Sequence, residues 1–182
     1  MVGGAWKKDV LQRYEASSAT YVELYSEEQD RKYDLALFLV PVHEEDLVLD
    51  VGCGPGAFLK RLGPGPIVVG VDFSTSQINQ ANAMSHGSNL VMADAERLPF
   101  VNGTFDRVFS FSVLQNLETP NPAFSEIRRV MKHEGKFCFT VLDSKFPVGQ
   151  LISDAKSSGF QVEMNVPVQN TRDRLYLMKP IS

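Results

Sequence analysis

Three aspartates stand where strand-length apolar runs of the chain end: Asp50, Asp72 and Asp94. In an open α/β sheet the carboxyl ends of parallel strands meet at one edge, so these carboxylates would face a common crevice. Carboxylates at such a place accept hydrogen bonds from hydroxyl and amino groups and attract cations. The spacing therefore predicts a binding site for a ligand that carries hydroxyl and amino groups, positioned by a sheet of alternating strands and helices.

A glycine-rich turn follows Asp50 and leads into a helical pattern. Gly52, Gly54 and Ala57 match the G-x-G-x-x-G/A fingerprint of dinucleotide-binding folds. Glycines there let the backbone approach a ligand, and the N–H groups of the following helix point into the same crevice. The turn alone is thus compatible with NAD or with another nucleoside cofactor.

The residues around the turn separate these two ligand classes. Asp50 would repel the diphosphate of NAD, and Pro55 removes an N–H that a diphosphate would use. S-adenosylmethionine has no phosphate, and its α-ammonium group suits a carboxylate. Asp72, twenty positions after Gly52, stands where a carboxylate binds ribose hydroxyls, and Asp94 can accept from the adenine amino group. These residues favour S-adenosylmethionine and disfavour an NAD-dependent oxidoreductase.

The order of these motifs resembles that of the class I S-adenosylmethionine-dependent methyltransferases. The segments that carry the resemblance are 48–56, 69–72, 93–100, 105–117, 126–132 and 135–140. The resemblance implies a Rossmann-like, doubly wound α/β sheet of seven strands, mostly parallel with an antiparallel last strand and with helices on both faces. It also implies that segment 126–132 is a helix before the fifth strand.

The resemblance also implies a set of cofactor contacts. The residues expected to bind S-adenosylmethionine, and S-adenosylhomocysteine after transfer, are Asp50, Gly52, Cys53, Gly54, Gly56, Asp72, Phe73, Asp94, Ala95, Phe111 and Tyr25. Gln115, Asn116 and Tyr21 are candidates for orienting the methyl acceptor. The two cysteines have no metal-ligand spacing, so no metal is expected.

The acceptor is not identified by these residues. No insertion follows the fifth predicted strand, so we expect an open acceptor face that favours RNA or protein over a buried small molecule. A small-molecule methyltransferase and a cofactor-binding regulatory or scaffold protein without transfer activity remain alternatives. Arg128, Arg129, Lys132 and Lys136 are close in sequence, and a solvated helix face explains them better than an RNA-binding patch.

We expect one domain over residues 1–182, with a helical cap at 1–45 and the core at 46–182. A hydrophobic fraction of 43% suffices for a full core, and the net charge of −4 creates no general attraction for nucleic acid. Helices are expected over about residues 7–14 and 26–40. Without an apolar leader or membrane span, a cytoplasmic protein with no membrane contact is expected. The resemblance leaves a further alternative, a catalytic subunit that requires a small zinc-ribbon activator. Such relatives pair the activator with the edge formed by the third strand, here residues 89–93.

Overall fold

The computed structural model describes residues 26–84 and 89–181. Helices in these ranges are α1 (Ser26–Leu39), α2 (Ala57–Leu62), α3 (Thr75–Met84), α4 (Asn121–Val130) and α5 (Val148–Ser157). Strands are β1 (Leu47–Val51), β2 (Ile67–Asp72), β3 (Asn89–Met92), β4 (Phe105–Phe111), β5 (Met131–Leu142), β6 (Phe160–Pro167) and β7 (Asp173–Pro180). A single 3₁₀ turn, Leu114–Asn116, follows β4.

The strands form one seven-stranded sheet in the order β3-β2-β1-β4-β5-β7-β6. The first five strands in this order are parallel to one another, whereas β7 runs antiparallel to both β5 and β6. The strand order reverses between β1 and β4, and ligands of open α/β sheets bind at such a switch point. The resemblance-based prediction of a Rossmann-like sheet with an antiparallel last strand is confirmed.

Apolar side chains alternate between the two faces of the sheet, so each face has its own core. Val48 of β1 packs with Tyr33 of α1 and Phe58 of α2 on one face. Leu49, its neighbour, packs with Phe124 of α4 and other residues on the opposite face. The central strands are covered on both sides, which explains their nearly continuous apolar sequence.

The predicted boundaries differ from the observed ones mainly around α4. The helix ends at Val130, because Met131 already lies in β5 and is buried to 2% exposure. The expected helix over 126–132 therefore ends two residues early. After β5 only residues 143–147 precede α5, as expected for a chain without an insertion there.

The N-terminal cap is described only from residue 26 onward. Helix α1 agrees with the helix expected over 26–40. The expected helix over 7–14, Tyr21 and Tyr25 lie outside the described residues. In the part of the chain that is described, no helix is both long and apolar enough to cross a membrane.

Candidate cofactor site

The turn after β1 has the geometry that its glycines permit. Gly52, Gly54 and Gly56 have φ angles of 76°, 52° and 86°, in the left-handed region that costs other residues strain. Gly52 also lies in close contact with the loop after β4, since a Cβ at this position would be 2.2 Å from Val113 Cγ2. A Cβ on Gly54 would meet nothing closer than Gln77 Oε1, at 3.8 Å. Gly54 therefore borders open space, whereas Gly52 is packed.

The amide groups of this turn bond within the protein. Gly52 and Cys53 both donate to the carbonyl of Val71, at 2.7 and 2.9 Å, and Gly56 donates to the carbonyl of Cys53. Gly54 donates to the carboxylate of Asp72, and Pro55 has no N–H. Since every donor of residues 52–56 is engaged or missing, the turn offers no N–H to a diphosphate. This supports the sequence argument against NAD.

Asp72, at the end of β2, receives two of these hydrogen bonds. Its Oδ2 accepts the N–H of Gly54 and its Oδ1 accepts the N–H of Ser74, both at 2.9 Å. Burial raises the pKa of Asp72, and these backbone donors partly oppose the rise. Each carboxylate oxygen keeps a further lone pair, so the carboxylate can still accept from ribose hydroxyls while it shapes the turn.

Asp50 is the second carboxylate of the site and lies deeper. It is 2% exposed on the central strand β1 and makes no side-chain hydrogen bond to the described residues. Burial raises its pKa to about 8, and the negative charge of Asp72 adds to the rise. A buried carboxylate without a partner is unfavourable unless a cation or donor reaches it. The arrangement therefore suits a ligand that brings an ammonium group.

The third carboxylate, Asp94, lies in the loop after β3. Its Oδ1 accepts the N–H of Glu96 at 3.0 Å, and its carbonyl accepts the N–H of Arg97 at 2.8 Å. Both Asp94 and its neighbour Ala95 are half-buried. The loop places them beyond the end of β3, next to β2, as the sequence predicts.

An ion pair on α4 holds the continuation of this loop. Glu126 accepts the N–H of Leu98 at 2.8 Å, while Arg129 donates to the carbonyls of Leu98 and Phe100 at 2.8 and 2.6 Å. The guanidinium of Arg129 and the carboxylate of Glu126 are 2.7 Å apart. Arg129 was expected on a solvated helix face, but it is half-buried and bonds the loop that leads away from Asp94.

The predicted aromatic and cysteine contacts lie mostly in the core. Phe111 is 9% exposed, and its ring centroid lies 4.8 Å from that of Tyr33 and 4.7 Å from that of Phe58. Cys53 is buried, and burial raises the pKa of its thiol well above the usual range. Its thiol is therefore a packing group. Phe73 is half-buried directly after Asp72.

The two candidate amides lie on the 3₁₀ turn at the carboxyl end of β4. Gln115 Oε1 accepts the N–H of Leu142 at 3.0 Å, and Asn116 Nδ2 donates to the carbonyl of Ser112 at 3.1 Å. Both side chains thus bond the surrounding backbone and are half-buried. An acceptor-orienting role for either of them stays a prediction.

A buried ion-pair network beside this loop was missed by the sequence reasoning. Lys32 of α1 is 2% exposed, and its Nζ lies 2.8 Å from Asp173 Oδ2 and 3.0 Å from Glu28 Oε1. It also donates to Ser112 Oγ at 3.0 Å. Burial raises the pKa of Asp173, with the Lys32 ammonium acting in the opposite direction.

Residues 26–84 and 89–181 contain no cluster of three potential metal ligands. The expectation that the site uses no metal stays a prediction.

Comparison with known proteins identifies the class. The family model described as a methyltransferase domain matches residues 49–139, half of the chain. The chain therefore belongs to this family of class I S-adenosylmethionine-dependent methyltransferases.

Individual relatives agree with this assignment. An uncharacterized protein of Methanocaldococcus jannaschii is 33% identical over 74% of this chain and 52% of its own. A malonyl-[acyl-carrier protein] O-methyltransferase of Marinomonas sp. is 31% identical over 76% of this chain and 53% of its own. The chain thus spans about half the length of these curated relatives.

A solved structure shows the same fold over nearly the whole chain. It belongs to a complex between the Trm112 methyltransferase activator of Haloferax volcanii and a candidate methyltransferase. The TM-score is 0.83 at 18% identity, covering 95% of this chain and 98% of the other.

Proposed function

We propose that the protein transfers a methyl group from S-adenosylmethionine to an acceptor. The observation that carries this proposal is Asp50, a buried carboxylate without a hydrogen-bond partner among the described residues, beside a glycine turn whose N–H groups are engaged. This geometry fits a ligand with an ammonium group and no phosphate. S-adenosylmethionine supplies a sulfonium methyl group that a nucleophile can attack directly.

The residues of the chain would bind and orient the reactants. Asp50 would neutralise the ammonium group, Asp72 would accept from the ribose hydroxyls, and Asp94 with Ala95 would contact the adenine. The loop after β4 would border the acceptor. Most of the catalysis would then rest on proximity and orientation, and a general base would be needed only for an acceptor whose proton must leave before attack.

We propose further that the acceptor is carried by a macromolecule. The short connection after β5 supports an open acceptor face. The basic residues close to α4 in sequence are engaged within the protein: Lys132 lies 2.7 Å from Asp106, and Lys136 lies 2.5 Å from Glu163. Paired charges favour a protein-borne acceptor over RNA. Relatives named malonyl-[acyl-carrier protein] O-methyltransferase act on an acyl group that a protein carries, which agrees with a protein-borne acceptor. A free small molecule is the main alternative.

A transfer assay tests both parts. The protein is incubated with methyl-labelled S-adenosylmethionine and a cell extract, which is then separated into RNA, protein and metabolites. We expect label in the protein fraction. Asp72→Ala serves as the inactive variant, and Asp143→Ala, which removes an exposed carboxylate paired with Arg174, serves as the matched control. Label confined to RNA or metabolites would reject the protein-borne acceptor, and no label in any fraction would favour a regulatory role.

Calorimetry distinguishes S-adenosylmethionine-type from NAD-type cofactors, and it requires no methyl acceptor. S-adenosylhomocysteine should bind, and NAD(H) should not. Binding of NAD(H) alone would overturn the proposed function and favour an oxidoreductase.

We also propose that a small zinc-ribbon activator pairs with β3. This strand lies at the edge of the sheet, and its Met92 is 62% exposed. An unpaired edge with apolar side chains is a site for strand addition. The fold shared with the methyltransferase of the Trm112 complex supports the idea.

Co-expression with a Trm112-type protein from the same source tests this pairing. Met92→Asp should prevent co-purification, whereas Ile67→Asp, at an equally exposed position on β2, should not. A chain that is soluble, monomeric and fully active alone would contradict the proposal.

A further inference from the structure

The buried ammonium of Lys32 joins three separate parts of the fold. Lys32 and Glu28 lie on α1, Asp173 begins β7, and Ser112 follows the last residue of β4. The ammonium lies 2.8 Å from Asp173 Oδ2 and 3.0 Å from Glu28 Oε1, and it donates a hydrogen bond to Ser112 Oγ at 3.0 Å. The two carboxylates compensate the charge of a lysine that is only 2% exposed.

Ser112 adopts a conformation that its side chain disfavours. Its φ angle is 59°, in the left-handed region, where residues other than glycine are uncommon. Such a residue persists where its surroundings determine its conformation. Here the N–H of Ser112 donates to the carbonyl and hydroxyl oxygens of Thr140, and its Oγ accepts from Lys32 and lies 3.4 Å from Asp173 Oδ1.

The conformation of Ser112 affects the cofactor turn through the next residue. Val113 packs directly on Gly52, close enough that a Cβ on Gly52 would lie 2.2 Å from Val113 Cγ2. The dihedral angles of Ser112 determine where Val113 is placed. A relaxation of Ser112 would therefore shift Val113 relative to the turn.

We propose that Lys32 is a positioning residue for the cofactor site. By holding Ser112 in the left-handed conformation together with Asp173, it keeps Val113 against Gly52 and couples helix α1 to the turn after β1. This inference rests on the proposed function, because it concerns binding of S-adenosylmethionine at that turn.

The coupling makes a specific prediction about the Ser112→Gly variant. Glycine adopts a φ of 59° without strain, so it needs no ammonium to hold it there. In the Ser112→Gly background, the loss of Lys32 should therefore affect the cofactor turn much less than in the native background.

The test is calorimetry with S-adenosylhomocysteine on Lys32→Met, Ser112→Gly and the double variant. Lys32→Met should weaken binding about tenfold, the factor that corresponds to the strain of a left-handed non-glycine residue. The same change in the Ser112→Gly background should weaken it less than about threefold. The matched control is Lys136→Met, which removes a lysine on β5 that is ion-paired with Glu163. This variant should bind S-adenosylhomocysteine like the native protein.

Loss of Lys32 leaves Asp173 buried without its cation, which destabilises the fold. The variant Lys32→Met/Asp173→Leu removes both charges, so it keeps the comparison possible if the single variant does not fold. It too should bind weakly when Ser112 is retained and nearly normally in the Ser112→Gly background.

The outcomes separate the inference from the proposed function. Native affinity in Lys32→Met, or an equal loss in both backgrounds, would overturn the positioning role while the native protein still binds S-adenosylhomocysteine. No binding by the native protein would instead overturn the proposed function, on which this inference rests.

Discussion

The N–H of Gly54 donates to the carboxylate of Asp72 at 2.9 Å, which joins the turn after β1 to the end of β2. The other oxygen of this carboxylate accepts from Ser74, the residue before α3. One side chain at the end of β2 thus fixes both the start of a helix and the shape of the glycine turn. Changes at Asp72 should therefore affect stability and binding together.

Asp72→Ala should weaken the binding of S-adenosylhomocysteine by about 1.5–3 kcal/mol, because hydrogen bonds to a charged group are lost. It should also lower the melting temperature, since Gly54 and Ser74 lose their acceptor. Calorimetry and thermal unfolding measure the two effects, with Asp143→Ala as the control. Unchanged affinity would reject the ribose-binding role of Asp72.

Binding should depend on pH through Asp50. Its pKa of about 8 means that the free protein carries a proton there below pH 8, and an ammonium ligand requires that proton to leave. Affinity for S-adenosylhomocysteine should therefore fall as the pH drops below 8, by up to about tenfold per pH unit. Calorimetry across pH 6 to 8 measures the slope. The same slope in Asp50→Asn would assign it to another group.

Asp50 should also make the ligand-free protein less stable at high pH. The folded state keeps the proton up to about pH 8, whereas the unfolded chain releases it near 3.8. The folded state therefore binds more protons over this interval, and the contribution of Asp50 to stability falls as the pH rises through it. Asp50→Asn should raise the free energy of unfolding at about pH 9 relative to the native protein. The same change should weaken binding of the cofactor. Urea unfolding without ligand measures this, and an equal pH dependence in both proteins would contradict it.

Gly52 and Gly54 should respond differently to alanine. Gly52→Ala places a Cβ against Val113 at a φ of 76°, so it should destabilise the fold by about 2–4 kcal/mol. Gly54→Ala meets no close atom and should cost only the strain of about 1–2 kcal/mol, yet it places a methyl group in the space beside the turn and weakens binding. Urea unfolding and calorimetry separate the two effects. Val113→Ala should partly restore the stability of Gly52→Ala, and failure to do so would show that strain alone is responsible.

Arg129→Met should weaken binding of S-adenosylhomocysteine, although Arg129 is not expected to contact it. The guanidinium holds the carbonyls of Leu98 and Phe100, so its loss should loosen the loop after Asp94. We expect severalfold weaker binding of S-adenosylhomocysteine and faster hydrogen exchange in residues 97–102. Arg128→Met, which removes a bond to the carbonyl of Gly159 far from this loop, is the control. Equal exchange rates in both variants would contradict the role of Arg129.

Local patterns in the chain were sufficient to predict the framework. Apolar runs before Asp50 and Asp72 identify buried parallel strands, because such strands are covered on both faces. The glycine turn could be located for a similar reason, since only glycine tolerates the φ angles that a close turn requires. Helix α1 was also predicted, over residues 26–40, and it spans Ser26–Leu39.

Contacts between distant segments were not predictable from these patterns. Arg129 looks like a surface residue on its helix, and only the fold brings the carbonyls of residues 98 and 100 within its reach. Lys32 and Asp173 are far apart in sequence and have no shared motif. Their pairing depends on β7 entering the sheet antiparallel beside β5.

The sequence by itself determined the alternating strands and helices and the glycine turn, because these features depend on local periodicity and turn chemistry. The order of the motifs indicated the family. Only the tertiary structure decided how the carboxylates differ. Asp72 meets two backbone N–H groups, whereas Asp50 lies buried on a central strand without a donor among the described residues. Burial and long-range neighbours set the charge state of each group, and neither is encoded in the residues next to it.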